Sequence, residues 1–288
     1  MKKVIVIVGP TASGKTLRGI NLAKKLNTEI INGDSVQIYK ELNIGSAKVQ
    51  DQEMQGIKHH LLNVKNVGEP YSAFDFQSDV RALIKTIDIP LIVGGTGFYI
   101  KSALYNYEFD EFSNSKTYND LSNEQIYQLV KDSDSNINID INNRIRLIRA
   151  LNMLELGIKP SSKIKKDQAL YDILTIYLDY PRSGLKTLLS LRLDKMLDDG
   201  FIEEVKSINS ELNIIGYREL YKYLNGEIDL DEAKELIINA SMRLAKKQKT
   251  WFKNQMDCVM LDAKATNIDE LVYNEVLKFL GDKRWEYI

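Results

Sequence analysis

Five consecutive apolar residues, Val4-Ile5-Val6-Ile7-Val8, stop at Gly9 and give way to a helical spacing over Lys15–Leu26. A short unbroken apolar run bounded by glycine reads as a strand buried on both faces. The loop Gly9–Gly14 then opens the helix. The alternation recurs along the first hundred residues. Glu29–Asn32 reads as a second strand and Leu61–Val64 as a weaker third. Pro90–Val93, running into Gly94-Gly95-Thr96-Gly97, reads as another central strand. Between them Ser72–Ile87 carries Phe76, Val80, Leu83 and Ile84 on one helical face. Strands alternating with helices predict an α/β fold, a parallel sheet flanked by helices.

The pattern changes after Leu104. Residues 105–140 are rich in Asn, Ser, Asp and Tyr, yet Ile126, Leu129 and Val130 keep helical spacing. This predicts a small helical insertion domain over residues 105–164, interrupting a core made of 1–104 and 165–288. Asp172–Asp179 returns to strand character. Helices are expected at Gly184–Asp198, Phe201–Leu212, Gly216–Leu224 and Leu230–Met256, then a strand at Val259–Leu261 and a helix at Ile268–Leu280. In the long helix Ile237, Leu244 and Trp251, seven apart, are expected to form the buried side.

Composition narrows the function classes. The 288 residues carry 39 basic and 40 acidic side chains, so any nucleic-acid site must be a local patch and not a property of the whole chain. One cysteine, Cys258, excludes an internal disulfide framework and fits a reducing compartment. The apolar run after Lys2-Lys3 is too short for a secretory signal, and no stretch approaches the ~20 apolar residues of a membrane span. The expectation is a cytoplasmic protein with no membrane partner.

Chemistry concentrates at the expected strand ends. Gly9-Pro10-Thr11-Ala12-Ser13-Gly14-Lys15-Thr16 fits G-x-x-x-x-G-K-[ST] between a strand and a helix, the context that makes the pattern a phosphate site. Backbone N–H groups and the helix N-terminus converge on an anion, Lys15 adds a charge, and the Thr16 hydroxyl is placed to ligate Mg²⁺. The sheet is thereby of the P-loop NTPase-like kind. Asp34 follows the second strand, within plausible reach of that loop, as a general base, an indirect metal ligand or a helix N-cap. Gly94–Tyr99 ends another strand in the same crevice. His59-His60, adjacent on an extended segment, point to opposite faces and read as structural. Arg144, Arg146 and Arg149 on one helix, and Arg243, Lys246, Lys249 and Lys253 on another, are either solvated faces or tracks for a phosphate backbone.

These stretches resemble the bacterial tRNA dimethylallyltransferases (tRNA isopentenyltransferases). The resemblance is carried by "GPTASGKT" at 9–16, "DSVQIY" at 34–39, "HHLL" at 59–62, "VGGTGFYI" at 93–100, "RLDKMLDDGFIEEV" at 192–205 and "IGYRELYKYLNGEI" through "RLAKKQKTWF" at 215–252. It spans nearly the whole chain; only residues 105–140 do not align by eye. It implies that the P-loop, Gly9 to Thr16, holds the diphosphate of dimethylallyl diphosphate, with Mg²⁺ beside Thr16. It implies transfer of the dimethylallyl group to N6 of the adenine 3′-adjacent to the anticodon of tRNA, releasing diphosphate. Asp34 would be the base, Thr96 would lie between donor and acceptor, and Arg192 would balance charge on the leaving group. Asp34, Ser35, Val36 and Gln37 would touch the adenine and its neighbours. Further RNA contacts would come from Ile145, Arg146, Leu147, Ile148 and Arg149, from Leu212 to Tyr217 including Gly216, and from Lys246, Lys247, Gln248, Lys249, Thr250, Trp251, Phe252 and Lys253. The expected state is a monomer.

Some positions differ from the family's usual pattern. Gly45-Ser46-Ala47-Lys48-Val49 stands where "GTAKP" is usual, Leu188 where a second arginine precedes Arg192, and Ile145 where Gln opens the arginine-rich helix. Two rival classes are a P-loop kinase using ATP and a non-catalytic RNA-binding P-loop protein. The scarcity of arginine between Leu104 and Arg144 argues against a kinase lid, and the intact Lys15, Thr16 and Asp34 set argues against a binding-only relic.

Overall fold

A computed structural model describes residues 1–109, 116–162, 167–208 and 210–281. Parts of the expected insertion (110–115 and 163–164), together with residue 209 of the expected Phe201–Leu212 helix, lie outside these. The chain divides into two compact units, Met1–Tyr105 with Ala169–Ile288, and Asn106–Gln168.

The larger unit is built on a six-stranded, wholly parallel sheet in the order β3-β2-β4-β1-β5-β6. Its strands are β1 (Lys3–Val8), β2 (Ile30–Gly33), β3 (His59–His60), β4 (Leu91–Gly94), β5 (Asp172–Asp179) and β6 (Cys258–Asp262). The central position of β1 explains its unbroken apolar run. Val4, Val6 and Val8 enter the core on one face, with Phe76, Val80 and Phe252, while Ile5 and Ile7 enter the core on the other, with Ile20, Leu22 and Val272. All five are fully buried, each contributing about 1.5–3 kcal/mol relative to exposure.

The helices of this unit are α1 (Lys15–Leu26), α2 (Asp51–Met54), α3 (Ala73–Thr86), α4 (Gly97–Leu104), α7 (Arg182–Asp198), α8 (Phe201–Ile208), α9 (Tyr217–Leu224), α10 (Leu230–Gln255) and α11 (Ile268–Leu280). Ser72 starts α3 with a capping box, accepting from the Asp75 amide while the Asp75 carboxylate accepts the Ser72 amide. A separate apolar cluster of Leu193, Phe201, Val205, Tyr217, Leu220, Ala233 and Ile237 binds α7–α10 together and takes in Leu42.

The second unit contains α5 (Asn123–Ser133) and α6 (Arg144–Glu155). They close over Ile126, Val130, Ile137, Leu147 and Ala150. Arg144 is a structural side chain here, donating to the Leu121 and Tyr118 carbonyls and to Asn123.

Three expectations are corrected. Leu61–Val64 is not a strand, because Leu61 and Asn63 take left-handed backbone (φ 60° and 56°), which cannot extend. The third strand is His59-His60, paired with Ile30 and Ile31. Of the helix expected over Phe201–Leu212, Phe201–Ile208 is helical and residues 210–212 are not. The buried side of α10 is formed by Ala233, Ile237, Ala240, Ala245 and Phe252. Leu244 is 38% exposed, and with Trp251 it lines a cavity. Among the described residues no helix is long and apolar enough to cross a membrane.

Candidate active site

Strand register brings the motif-bearing loops together. Val8 and Gly33 both pair with Gly94, so β1, β2 and β4 end level. Gly9, Asp34 and Gly95 therefore leave the sheet side by side, at the carboxyl ends where parallel sheets bind ligands. The crowding is severe: a Cβ on Gly94 would lie 2.2 Å from the Gly33 backbone carbon, so only glycine fits.

The phosphate loop turns through left-handed backbone at Ala12 (φ 69°) and Gly14 (φ 79°) and is closed by the Ser13 amide donating to the Pro10 carbonyl at 3.2 Å. Lys15 then begins α1, whose first-turn N–H groups have no partner within the helix. Among the described residues, Lys15 Nζ reaches only the Pro10 carbonyl, at 3.4 Å. Burial lowers its pKa to about 8; Asp34 opposes the shift, and Arg192 adds to it. Burial also lowers the pKa of Arg192, again opposed by Asp34. Two desolvated cations and one carboxylate thus share a field, an arrangement that favours an added anion.

Asp34 sits in a built turn and caps no helix. Its Oδ1 accepts the Val36 amide at 2.9 Å, while Asn32 Oδ1 accepts the Asp34 amide and Asn32 Nδ2 donates to the Asp34 and Leu61 carbonyls. The Thr96 amide donates to the Gly33 carbonyl, and Thr96 Oγ1 accepts the Ser35 amide at 3.0 Å. One carboxylate oxygen is held, while Oδ2 carries no hydrogen bond among the described residues. Asn32, 4% exposed, is a site residue that sequence reasoning missed. Its one signal was a polar side chain inside an apolar strand.

Two cavities open on either side of this turn. One of about 900 Å³ is lined by Ala12, Gly14, Lys15 and Thr16. The other, about 610 Å³, is lined by Thr96, Phe98, Leu189, Leu244 and Trp251, with the Leu212–Tyr217 segment contributing Asn213 to Gly216. Thr11, Asp34, Ser46, Arg192 and Met196 line both. Ser35 and Val36 face the smaller cavity. Gln37 lines the larger one, and its amide is spent on the Ser46 and Ala47 carbonyls.

The remaining candidates divide by exposure. Gln248 Nε2 donates to the Gly95 carbonyl at 2.9 Å, and the Trp251 ring lies against Gly97. Lys247 lines the smaller cavity; Lys246, Thr250 and Lys253 are exposed on α10. Lys249 is paired with Asp179 at 2.7 Å. Phe252 and Tyr217 are fully buried, Phe252 against Tyr177 and Tyr217 edge-on to Phe201 with its hydroxyl donating to Glu204. In the second unit Ile145 is 82% exposed and Arg146 is exposed, Ile148 and Arg149 are half-buried, and Leu147 is 0% exposed. The side chains of Leu147, Tyr217 and Phe252 are therefore packing groups with almost no surface to offer an RNA. His60 is bonded to Glu29, and His59 Nδ1 to the Ile57 carbonyl. Lys48 is buried and donates to the Tyr39 carbonyl, Asn43 and Asn63; nothing in its sequence context announced this.

The donor set suits a hard cation held chiefly by substrate. Thr16, Asn32, Asp34, Gln50 and Glu53 supply oxygens around the larger cavity, yet the described residues contain no cluster of three His, Cys, Asp or Glu. Mg²⁺ is commonly bound in this way, through few protein oxygens plus phosphates.

The chain matches the family described as IPP transferase over residues 37–255. It is 52% identical over 282 residues to a tRNA dimethylallyltransferase of Acholeplasma laidlawii, covering 98% of this chain and all of that one. Among solved structures it is similar to a tRNA isopentenylpyrophosphate transferase of Staphylococcus epidermidis (34% identity, TM-score 0.74, 98% of this chain and all of that one). It is also similar to a eukaryotic dimethylallyltransferase acting on tRNA (27% identity, TM-score 0.87, 98% of this chain and 80% of that one).

Proposed function

The chain belongs to the IPP transferase family of tRNA dimethylallyltransferases, and we propose how its crevice transfers a dimethylallyl group to tRNA. The observation that carries the assignment of roles is the wall of Thr11, Asp34 and Arg192 shared by two cavities. The larger cavity receives the donor, dimethylallyl diphosphate, its diphosphate lying on Gly9 to Thr16 with Lys15 as counter-charge. The smaller receives an adenine taken out of the tRNA stack, as base-modifying enzymes require. Its apolar lining and the Trp251 ring suit a base, and Thr96 lines this cavity with its hydroxyl bonded to the Ser35 amide beside Asp34.

The acceptor is N6 of the adenine 3′-adjacent to the anticodon. Its lone pair is delocalised into the ring, so the amine is a weak nucleophile. As the new C–N bond forms and the allylic C–O bond breaks, N6 becomes acidic, and Asp34 Oδ2 takes its proton. Charge growing on the departing diphosphate is stabilised by Lys15, Arg192 and the first-turn amides of α1. When bound beside Thr16, Mg²⁺ supplies further neutralisation of the diphosphate.

The second unit, with Ile145, Arg146 and Arg149 on α6, gives one RNA-binding surface. Lys246, Lys247 and Lys253 on α10 give another. The reaction is tested by incubating the protein with unmodified tRNA, Mg²⁺ and labelled dimethylallyl diphosphate. Label is expected in the RNA, and its absence would refute the assignment.

A further inference from the structure

Glu204 on α8 lines neither cavity, yet both of its carboxylate oxygens are engaged beside them. Its Oε2 accepts the amides of Asn43 at 3.0 Å and Ile44 at 2.8 Å, and its Oε1 accepts the Gly45 amide at 3.0 Å and the Tyr217 hydroxyl at 2.6 Å. Three consecutive backbone amides turned onto one anion form a concave nest. Segment 43–48 belongs to no helix or strand, so these amides have no ladder to satisfy them, and a charged acceptor replaces it.

That segment is part of the wall between the cavities. Asn43 and Ile44 line the larger, Gly45 the smaller and Ser46 both. Its far side is bonded to Gln37, whose amide donates to the Ser46 and Ala47 carbonyls at 3.2 and 3.3 Å, three residues after Asp34. Within the loop, Lys48 Nζ holds Asn43 Oδ1 at 2.9 Å. Its near side lies directly on aromatic rings: a Cβ on Gly45 would stand 2.2 Å from Phe201 and 2.6 Å from Tyr217. An unbroken path of bonded groups thus runs from Glu204 through the loop to the turn that carries Asp34.

We propose that Glu204 is a positioning residue for the transfer reaction, fixing the Asn43–Ser46 wall so that donor and acceptor meet at Asp34. The inference rests on the transferase reading above. Apolar packing alone would hold α8 against α9, as Val205 and Phe201 already do. What the carboxylate adds is the placement of the loop backbone.

The test uses the full chain and compares Glu204→Gln with Val205→Ala, its buried neighbour, which loosens packing but keeps the carboxylate. A glutamine offers one oxygen where two now accept, and its NH₂ faces donors. With both substrates saturating, Glu204→Gln should slow single-turnover transfer by about 10- to 100-fold, the loss expected from a displacement of roughly 1 Å at reacting groups. Val205→Ala should stay within about threefold, whatever its melting temperature. Amide hydrogen exchange supplies a reading independent of activity. In the wild-type protein the amides of residues 43–45 should be protected, and in Glu204→Gln they should lose protection while β1 keeps its own. Should Glu204→Gln not fold, Gly45→Ala pushes the loop off the same rings with Glu204 intact, and the same slowing is expected. Unprotected wild-type amides at 43–45, a Glu204→Gln or Gly45→Ala rate within threefold of wild type, or equal slowing by Val205→Ala would each overturn the role. An inactive wild type would instead refute the transferase reading itself.

Discussion

The Ser35 amide donates to Thr96 Oγ1 at 3.0 Å, fastening the turn after β2 to the turn after β4. Because Asp34 immediately precedes Ser35, the threonine hydroxyl fixes the backbone from which the carboxylate projects. Thr96→Val keeps the shape and removes the acceptor. Leaving a part-buried N–H unpaired costs about 1–3 kcal/mol of stability. Single-turnover transfer should fall by roughly 10- to 100-fold through misplacement of Asp34. Unfolding in urea and a rapid-quench assay check the two effects, and an unchanged rate would show that Thr96 does not position the base.

With the donor on the phosphate loop as proposed, Lys15 should make its binding pH-dependent. Its pKa in the free protein is lowered to about 8 by burial. A bound diphosphate favours the charged ammonium and raises that pKa, so binding takes up a proton wherever free Lys15 is partly neutral. Affinity should therefore fall as pH rises through about 8 toward 9, by up to about tenfold per unit. Calorimetry at pH 8.5 in buffers of different ionisation enthalpy should report proton uptake for the wild type. Uptake should vanish in Lys15→Met, and its persistence there would place the titrating group elsewhere.

On the proposed reading, the two basic surfaces carry the tRNA affinity that a net charge of −1 does not supply. Lys246→Ala with Lys253→Ala should reduce the slope of log K against log salt by about one for each phosphate no longer neutralised. Lys249 is held by Asp179, so Lys249→Ala should reduce it by less. Filter binding across a salt series tests this, and an unaltered slope in the double variant would make the stripe a solvated face.

Lys48 is 5% exposed and surrounded by acceptors: the Tyr39 and Lys40 carbonyls and the side chains of Asn43 and Asn63. Lys48→Met fills the volume but leaves those acceptors unpaired. It should cost about 2–4 kcal/mol in chemical denaturation, within the range for losing buried bonds to a charged group. A loss below about 0.5 kcal/mol, the scale of an ordinary surface substitution, would mean that water or rearrangement replaces the ammonium.

Much of this was legible in the chain because local chemistry and fold agreed. The span Lys15–Leu26 is bounded by Gly14 and Asn27, both in left-handed backbone. The span Asp172–Asp179 is an interior strand whose Ile173, Leu174, Ile176, Tyr177 and Leu178 are apolar. Where they disagreed, periodicity failed. Trp251 and Leu244 keep the seven-residue spacing of a buried face, but the neighbouring loops leave a cavity there. His59-His60 form a strand without strand composition because Ile30 and Ile31 present an edge to pair with. Lys48, Asn32 and Glu204 owe their importance to partners distant in sequence or to unladdered backbone, which no local pattern reports.

Whether Asp34 accepts the proton from the adenine amine is decided by Asp34→Asn. The amide preserves shape and can still accept the Val36 amide, but it cannot take a proton at neutral pH. With donor and tRNA both saturating, single-turnover transfer should fall by roughly 10²–10⁴, the usual worth of a positioned base, while both affinities stay within about threefold. A variant that keeps more than about a tenth of the wild-type rate would contradict a general-base role. Asp34 would then serve only to shape the turn, and the base would lie elsewhere on the wall between the cavities.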